Sequence, residues 1–141
     1  MTTTISCFAT NVYQTGLSTD MQEVLEWIKQ KAQYLGMGQP ILLSTCRTYE
    51  HQKNLQERWD NGERSGIRSR PANPEDSLHV AGDDGKCRAF DLGNSDDWLG
   101  VIGPRVVGEF PTVEWGGNYI NRDPNHFEKN TLVRIFSINL I

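Results

Sequence analysis

The chain has 141 residues, and its 14 basic and 18 acidic side chains give a formal net charge of −4 at pH 7. A chain of this length can fold as one domain without a structural metal or a disulfide framework. Its mildly acidic balance excludes a globally basic, nucleic-acid-binding protein. No apolar stretch approaches the roughly 20 residues that span a bilayer, and the first residues lack the pattern of a secretory signal.

The first predicted helix follows Ser18 and Asp20, whose side-chain oxygens can cap the free amides of a helix start. Glu23 could complete a capping box. Gly36 and Gly38 predict the end of the helix. The apolar residues that recur at helical spacing, and therefore predict its buried stripe, are Met21, Val24, Leu25, Ile28, Ala32 and Leu35.

The sequence pattern in the middle of the chain predicts a strand, a second helix and a long loop. Residues 41–44 form a short apolar run bounded by breakers, which favours a buried strand that ends before Arg47. A helix is predicted over residues 49–59, closed by Gly62. Residues 63–76 have no apolar periodicity and are rich in turn-forming residues, so we predict a surface loop.

The second half predicts another strand over residues 88–92 and a third helix after it. Asn94 and Ser95 could cap this helix. Its apolar residues at helical spacing are Trp98, Leu99, Ile102 and Val106.

Short strands are predicted over residues 112–115 and 126–128, joined by turn-rich segments. The weakly alternating tail, residues 131–141, is a candidate final strand. Because helices are grouped before strands, and no repeat or linker interrupts the chain, we predict a single α+β domain over residues 1–141.

The cysteines are Cys7, Cys46 and Cys87, an odd number without Cys-x-x-Cys spacing. This pattern indicates neither a disulfide framework nor a cysteine zinc cluster. We therefore expect reduced thiols and synthesis in the cytoplasm without a signal peptide.

Two distant segments carry the side-chain types of a zinc site. His79 precedes a predicted strand, Asp91 lies on that strand, and His126 begins a later one. Two imidazoles and one carboxylate can bind a catalytic zinc that keeps one position open for water. The sequence therefore predicts these three residues as zinc ligands and indicates a hydrolase.

Two further residues have predicted catalytic roles. Asp123 lies three residues before His126, so its carboxylate is the candidate base that takes a proton from water and passes it to the leaving amine. Arg47 is the candidate that holds the oxyanion or a substrate carboxylate through its planar guanidinium. Glu114 is a competing base, but nothing in the sequence places it near the metal.

Four motifs, between about residues 42 and 128, resemble those of one family in the same order. Residues 77–82 with 88–91 resemble the Ser-x-His-x-x-Gly-x-Ala-x-Asp signature of zinc D-Ala-D-Ala carboxypeptidases and dipeptidases and of phage L-alanyl-D-glutamate endolysins. Residues 44–48, Ser-Thr-Cys-Arg-Thr, resemble the family's Ser-Gly-Tyr-Arg-Ser segment. Trp-Gly-Gly over 115–117 and Asp-Pro-Asn-His-Phe-Glu over 123–128 resemble its closing motif.

That resemblance implies the same zinc ligands, with Asp123 as the base and Arg47 as the clamp on substrate or transition state. It also implies the Hedgehog/DD-peptidase fold, a small antiparallel sheet with helices packed on one side. Ser77 and Glu128 are expected to support the ligands by hydrogen bonding. Trp115 is a candidate for the cleft wall or for the core.

The chain departs from the family pattern between the first two ligands. The aspartate follows the histidine by 12 positions instead of the family's seven, so residues 83–87 are inserted. The insertion adds Asp83, Asp84 and Cys87 as rival ligands. An exposed turn for the two aspartates, and a partly buried small side chain for Cys87, are the favoured interpretations.

A plainer interpretation is also favoured for several basic residues. His51 is predicted to be solvated on a charged helix. Four arginines could contact carboxylates of a stem peptide or wall polymer, although a solvated loop is favoured; they are Arg58, Arg64, Arg68 and Arg70.

From these features we expect a Zn²⁺-dependent peptidase that cleaves a bond of the L-Ala-D-Glu or D-Ala-D-Ala type in the peptidoglycan stem peptide. The absence of a signal favours a phage or prophage endolysin delivered by another factor, with a cytosolic dipeptidase left open. The alternative is a non-catalytic, zinc-containing module of the same fold that binds wall fragments or a protein partner. Asp123 discriminates between them, because a binding module has no reason to retain a base beside a ligand.

Overall fold

A computed structural model describes residues 16–67, 70–93, 98 and 100–130. The helices in these residues are α1 (Thr19–Tyr34), α2 (Tyr49–Asp60) and α3 (Ile102–Glu109), with a 3-10 turn at Gly116–Asn118. The strands are β1 (Leu42–Ser44), β2 (Ala89–Leu92), β3 (Val113–Trp115) and β4 (His126–Lys129). They form a four-stranded antiparallel sheet in the order β1-β2-β4-β3. The α+β class and the small antiparallel sheet are thus confirmed.

The predicted positions of most elements agree with the structure within a few residues. Two predictions fall outside the described residues: the helix start at Asn94 and Ser95, and the tail strand over residues 131–141. None of the helices in the described part of the chain combines the length and the apolar character needed to cross a membrane.

The sheet has one apolar and one polar face, because side chains alternate along each strand. Phe90 of β2 pairs with Phe127 of β4, and their rings stack at 5.4 Å between centroids in the core. The next pair along the same two strands is Asp91 with His126. Strand register alone therefore places these two polar side chains together on the opposite face.

Helices α1 and α3 share one hydrophobic core with the apolar face of the sheet. The predicted stripe of α1 is buried from Met21 to Ala32. Leu35 is an exception, because α1 ends at Tyr34 and leaves Leu35 37% exposed. Gly36 follows with a φ of 70°, a conformation that favours glycine at a helix end.

A bulge in β1 shifts its register against β2. Leu42 pairs with Leu92, but Ser44 pairs with Asp91, so β1 carries an extra residue against β2. This shift places Ser44 beside Asp91 on the polar face. The prediction of a buried strand is wrong for Leu43, which is 50% exposed, because β1 lies at the edge of the sheet that the described residues form.

Cys46 and Cys87 form a disulfide, with their Cα atoms 5.4 Å apart, which corrects the prediction of reduced thiols. The two cysteines are 41 positions apart in sequence, so no local spacing signals the pair. An isolated bridge between Arg47 and Val80 joins the two segments, and another joins Cys87 to Leu17, before α1. Cys87 is fully buried, whereas the sequence predicts a partly buried side chain. Cys7 lies outside the described residues.

Candidate metal centre

The side chains of His79, Asp91 and His126 converge on the polar face of the sheet. Nε2 of His79 lies 3.3 Å from Nδ1 of His126 and 3.3 Å from Oδ2 of Asp91. Nδ1 of His126 lies 2.9 Å from Oδ1 of Asp91. The structure thus brings together the three ligands predicted from the sequence, although they come from a loop and two different strands.

These separations suit a tetrahedral zinc ion. Nitrogen and oxygen ligands bind zinc at about 2.0–2.2 Å, so two corners of the tetrahedron are about 3.3–3.6 Å apart. The observed distances of 2.9 to 3.3 Å are close to that range without any rearrangement of the backbone. Among the described residues, this is the single group of three potential ligands that the structure draws so close together.

Each imidazole is oriented by a hydrogen bond on its outer nitrogen. Nδ1 of His79 lies 2.6 Å from the carbonyl oxygen of Thr45, which can only accept, so this nitrogen is the donor. Nε2 of His126 lies 2.7 Å from Oε1 of Glu128 and donates to it. In neutral rings the two inner nitrogens then carry lone pairs that face Asp91. This arrangement is typical of metal-binding histidines.

With both rings neutral, the inner nitrogens of His79 and His126 and the carboxylate of Asp91 are all hydrogen-bond acceptors. A cation or a proton must therefore lie between them. Burial by itself raises the pKa of Asp91, but the electrostatic and hydrogen-bonding interactions with the imidazoles of His79 and His126 outweigh it and hold that pKa well below its usual range. Burial also lowers the pKa of His126, yet hydrogen bonds to Asp91 and Glu128 raise it overall to about 10. A proton on His126 therefore balances the cluster when no metal is bound.

Arg47 contacts the cluster directly through Asp91. Its Nη2 donates to Oδ2 of Asp91 at 3.0 Å, and its Nε donates to Oγ of Ser44 at 3.2 Å. A third bond runs from Nη1 to Oε1 of Gln52, at 3.0 Å. The side chain is 18% exposed and faces the cleft, so Arg47 both orients Asp91 and is accessible to a ligand.

An open cleft of about 1430 Å³ lies over the cluster. One wall comes from α2 and the loop after it, and the other from residues 118–125. The cleft exceeds the roughly 300–1,000 Å³ of typical small-molecule pockets, which suits an extended substrate such as a peptide. Its lining includes all three candidate ligands together with Arg47, Ser77 and Asp123.

Asp123 lies in the turn before β4 and lines this cleft. Its carbonyl accepts a hydrogen bond from the N–H of His126 at 3.0 Å, and its own N–H donates to the carbonyl of Gly116 at 2.9 Å. A Cβ at Gly116 would lie 2.1 Å from the Asp123 carbonyl oxygen, so only glycine permits this turn. The competing base, Glu114, accepts from Asn130 at 2.6 Å and does not line the cleft.

The three predicted supporting residues occupy different places. Oγ of Ser77 accepts from the N–H of His79 at 3.2 Å and lines the cleft. Glu128 fixes the ring of His126, as described above. Trp115 is only 3% exposed and lies in the core, where its Nε1 donates to the carbonyl of Pro124 at 2.8 Å. Trp115 thus supports the turn that carries Asp123 and does not contact the cleft.

The rival ligands lie outside the cluster. Asp83 and Asp84 belong to an exposed turn, and Asp84 pairs with Arg88 at 2.5 Å. Cys87 is in the disulfide. The favoured interpretation of an exposed turn is therefore confirmed.

Hydrogen bonds from three of the four arginines join the loop after α2 to the end of that helix. Arg58 donates to the carbonyl of Ser65, Arg64 to that of Trp59, and Arg70 makes two bonds to Asp60. Arg68 lies outside the described residues. His51 is exposed, as predicted, and lines the cleft.

Two contacts that shape the site are not predicted from the sequence. One is the Thr45 carbonyl, a backbone atom that no side-chain pattern can indicate. The other is Tyr119, whose ring centroid lies 6.2 Å from that of His126 and which lines the cleft. Burial, together with the charges of Glu128 and Glu114, raises the pKa of Tyr119 and keeps it neutral.

Comparison with known proteins gives no family assignment, since no family model and no curated protein matches the chain.

Proposed function

We propose that this chain is a zinc metallopeptidase that hydrolyses a peptide bond of the L-Ala-D-Glu or D-Ala-D-Ala type in the peptidoglycan stem peptide. The observation that carries the proposal is the convergence of His79, Asp91 and His126 at an open cleft, with both imidazoles oriented from outside. The substrate class and the Hedgehog/DD-peptidase type of fold come from the motif resemblance. On the same basis we propose a phage or prophage enzyme that another factor delivers to the wall.

The chain's own residues divide the proposed reaction between them. A zinc ion held by the three ligands would acidify a water molecule and polarise the scissile carbonyl. The carboxylate of Asp123 would accept the proton of the attacking water and pass it to the nitrogen of the leaving amine. Arg47 stabilises negative charge on the carbonyl oxygen from its side of the cleft.

Mass spectrometry of muropeptides tests this function and the choice of bond together. The zinc-loaded protein is incubated with purified peptidoglycan of several stem-peptide types. We expect new peptide termini at one bond, loss of this activity with a chelator, and recovery on adding zinc. A zinc-loaded protein that releases no new amino groups from any of these substrates would instead support the non-catalytic wall-binding module.

A further inference from the structure

Gln52 is a buried carboxamide on a helix that otherwise contributes little to the core. It is 2% exposed and is the one buried residue of α2. Burying an amide costs free energy unless its oxygen and its nitrogen are both hydrogen-bonded. The partners of Gln52 therefore indicate what the residue does.

Each end of the carboxamide is hydrogen-bonded to a group that can only donate or only accept. Oε1 accepts from Nη1 of Arg47 at 3.0 Å, and Nε2 donates to the carbonyl of Ala72 at 2.9 Å. A guanidinium only donates and a carbonyl only accepts, so the orientation of the amide is determined. Arg47 in turn donates to Asp91 at 3.0 Å. One continuous hydrogen-bonded path thus joins the cleft wall to a candidate zinc ligand.

We propose that Gln52 is a positioning residue for the metal centre, acting through Arg47. The guanidinium has three anchors, at Ser44, Gln52 and Asp91. Removing the anchor at Gln52 frees the guanidinium to rotate and leaves the Asp91 carboxylate less well oriented. Groups that orient metal ligands in this way typically change metal affinity or activity about 10–100-fold when removed.

Gln56, one turn later on α2, provides a matched control. Its Nε2 donates to the carbonyl of Pro71 at 3.4 Å and to Oδ1 of Asn73 at 2.5 Å. Gln56 therefore ties α2 to the same loop as Gln52 does, and neither of these two bonds involves Arg47. Q56M removes an anchor of the loop alone, whereas Q52M removes an anchor of the loop and of Arg47.

Zinc affinity, measured by competition with a chelator, tests this inference. The proteins compared are the wild type, Q52M, Q56M, R47M and the double variant R47M/Q52M, with thermal unfolding followed in parallel. We expect Q52M to weaken zinc binding about tenfold and Q56M to change it less than about twofold. In the R47M background, Q52M should cause no further loss, because its effect passes through Arg47.

Two results would overturn the inference: wild-type zinc affinity in Q52M, or additive losses in the double variant. If Q52M does not fold, Q52E replaces it, since a carboxylate keeps the acceptor for Arg47 and loses only the donor to Ala72. Q52E should then retain zinc affinity within about threefold, and a tenfold loss would count against the role of Arg47.

The catalytic consequence rests on the proposed function, but the zinc measurement does not. With a stem-peptide substrate, Q56M should mainly raise KM, whereas Q52M should also lower kcat about tenfold. A wild-type protein that binds zinc and cleaves no stem peptide would refute the proposed function. The role of Gln52 would still be decided by the affinities.

Discussion

At the residue scale, the site depends on hydrogen bonds that keep the inner nitrogens of two imidazoles facing one carboxylate. The outer nitrogens donate to the Thr45 carbonyl and to Glu128, at 2.6 and 2.7 Å. These bonds orient both rings before any ion arrives, and they determine which nitrogen of each neutral ring faces the metal. A site that is already oriented loses little conformational freedom on binding a metal.

The raised pKa of His126 predicts how the stability of the metal-free protein depends on pH. Its pKa is raised from 6.5 to about 10, so its protonated form stabilises the fold fully below pH 6.5. That contribution is lost as the pH rises towards 10. Asp91, whose pKa is lowered from 3.8, contributes fully above that value and loses its contribution in stronger acid.

Thermal unfolding in the presence of a chelator measures this dependence. We expect Tm to be highest between about pH 4 and 6.5 and to fall by roughly 5 °C or more towards pH 10. H126Q removes the titrating group and should flatten the alkaline fall. Parallel curves for H126Q and the wild type would show that another group titrates.

Asp123 and Glu114 form a matched pair of candidate bases. D123N should lower kcat about 10²–10⁴-fold while leaving zinc affinity within a few-fold, because the amide cannot accept the proton. E114Q should keep nearly full activity, since Glu114 does not line the cleft. Steady-state kinetics with a muropeptide substrate, together with zinc content, makes the comparison. Full activity in D123N would exclude Asp123 as the base.

At the scale of the elements, the turn between β3 and β4 that carries Asp123 requires a glycine at position 116. G116A would place a methyl group 2.1 Å from the Asp123 carbonyl oxygen, so the turn must move. We expect a loss of about 1–3 kcal/mol in the free energy of unfolding, together with reduced activity.

Gly108 in α3 supplies the control for this substitution. A Cβ there meets nothing within 4 Å, and alanine is the better helix former. G108A should therefore be neutral or stabilising by up to about 1 kcal/mol, with unchanged activity. Denaturant unfolding measures both variants. If G116A were as stable and active as G108A, the close contact at Gly116 would not constrain the turn.

The disulfide joins the loop after β1 to the segment before β2 and encloses α2 and His79 between its cysteines. Cross-linking residues 41 positions apart should stabilise the fold by about 4 kcal/mol in the chain-entropy account. We expect a loss of this order on reduction or in the C46S/C87S double variant, measured by denaturant unfolding. Unfolding curves that do not change with reductant would show that the bond contributes little.

Predictions from the sequence succeed where the signal is local. The stripe of α1 and the bounds of α2 follow from the spacing of neighbouring side chains, and both are observed. The exposed Leu43 and the Cys46–Cys87 disulfide depend on which segments lie side by side, which spacing does not report.

The same distinction applies within the site. Residue type together with the motif resemblance predicts His79, Asp91 and His126 as ligands. The Thr45 carbonyl could not be predicted, because it is a backbone atom that reaches His79 only through tertiary structure. The helix that carries Gln52 is predicted from the sequence, but the bond of Gln52 to Arg47 depends on how that helix lies against the sheet.

At the scale of the whole molecule, the sheet separates the hydrophobic core from the candidate metal centre. Its apolar face joins α1 and α3 in one hydrophobic cluster, while its polar face forms the floor of the cleft. Phe90 and Phe127 lie in that core, and their neighbours Asp91 and His126 lie in the cluster. Well-packed strands therefore hold two of the three candidate ligands, which favours a rigid metal centre.

The most direct measurement of that centre is an anomalous difference map at the zinc absorption edge, from crystals grown with zinc. We predict one peak per chain, about 2.0–2.2 Å from Nε2 of His79, from a carboxylate oxygen of Asp91 and from Nδ1 of His126. A peak at other residues, or no peak in the cleft at saturating zinc, would contradict the proposed metal centre.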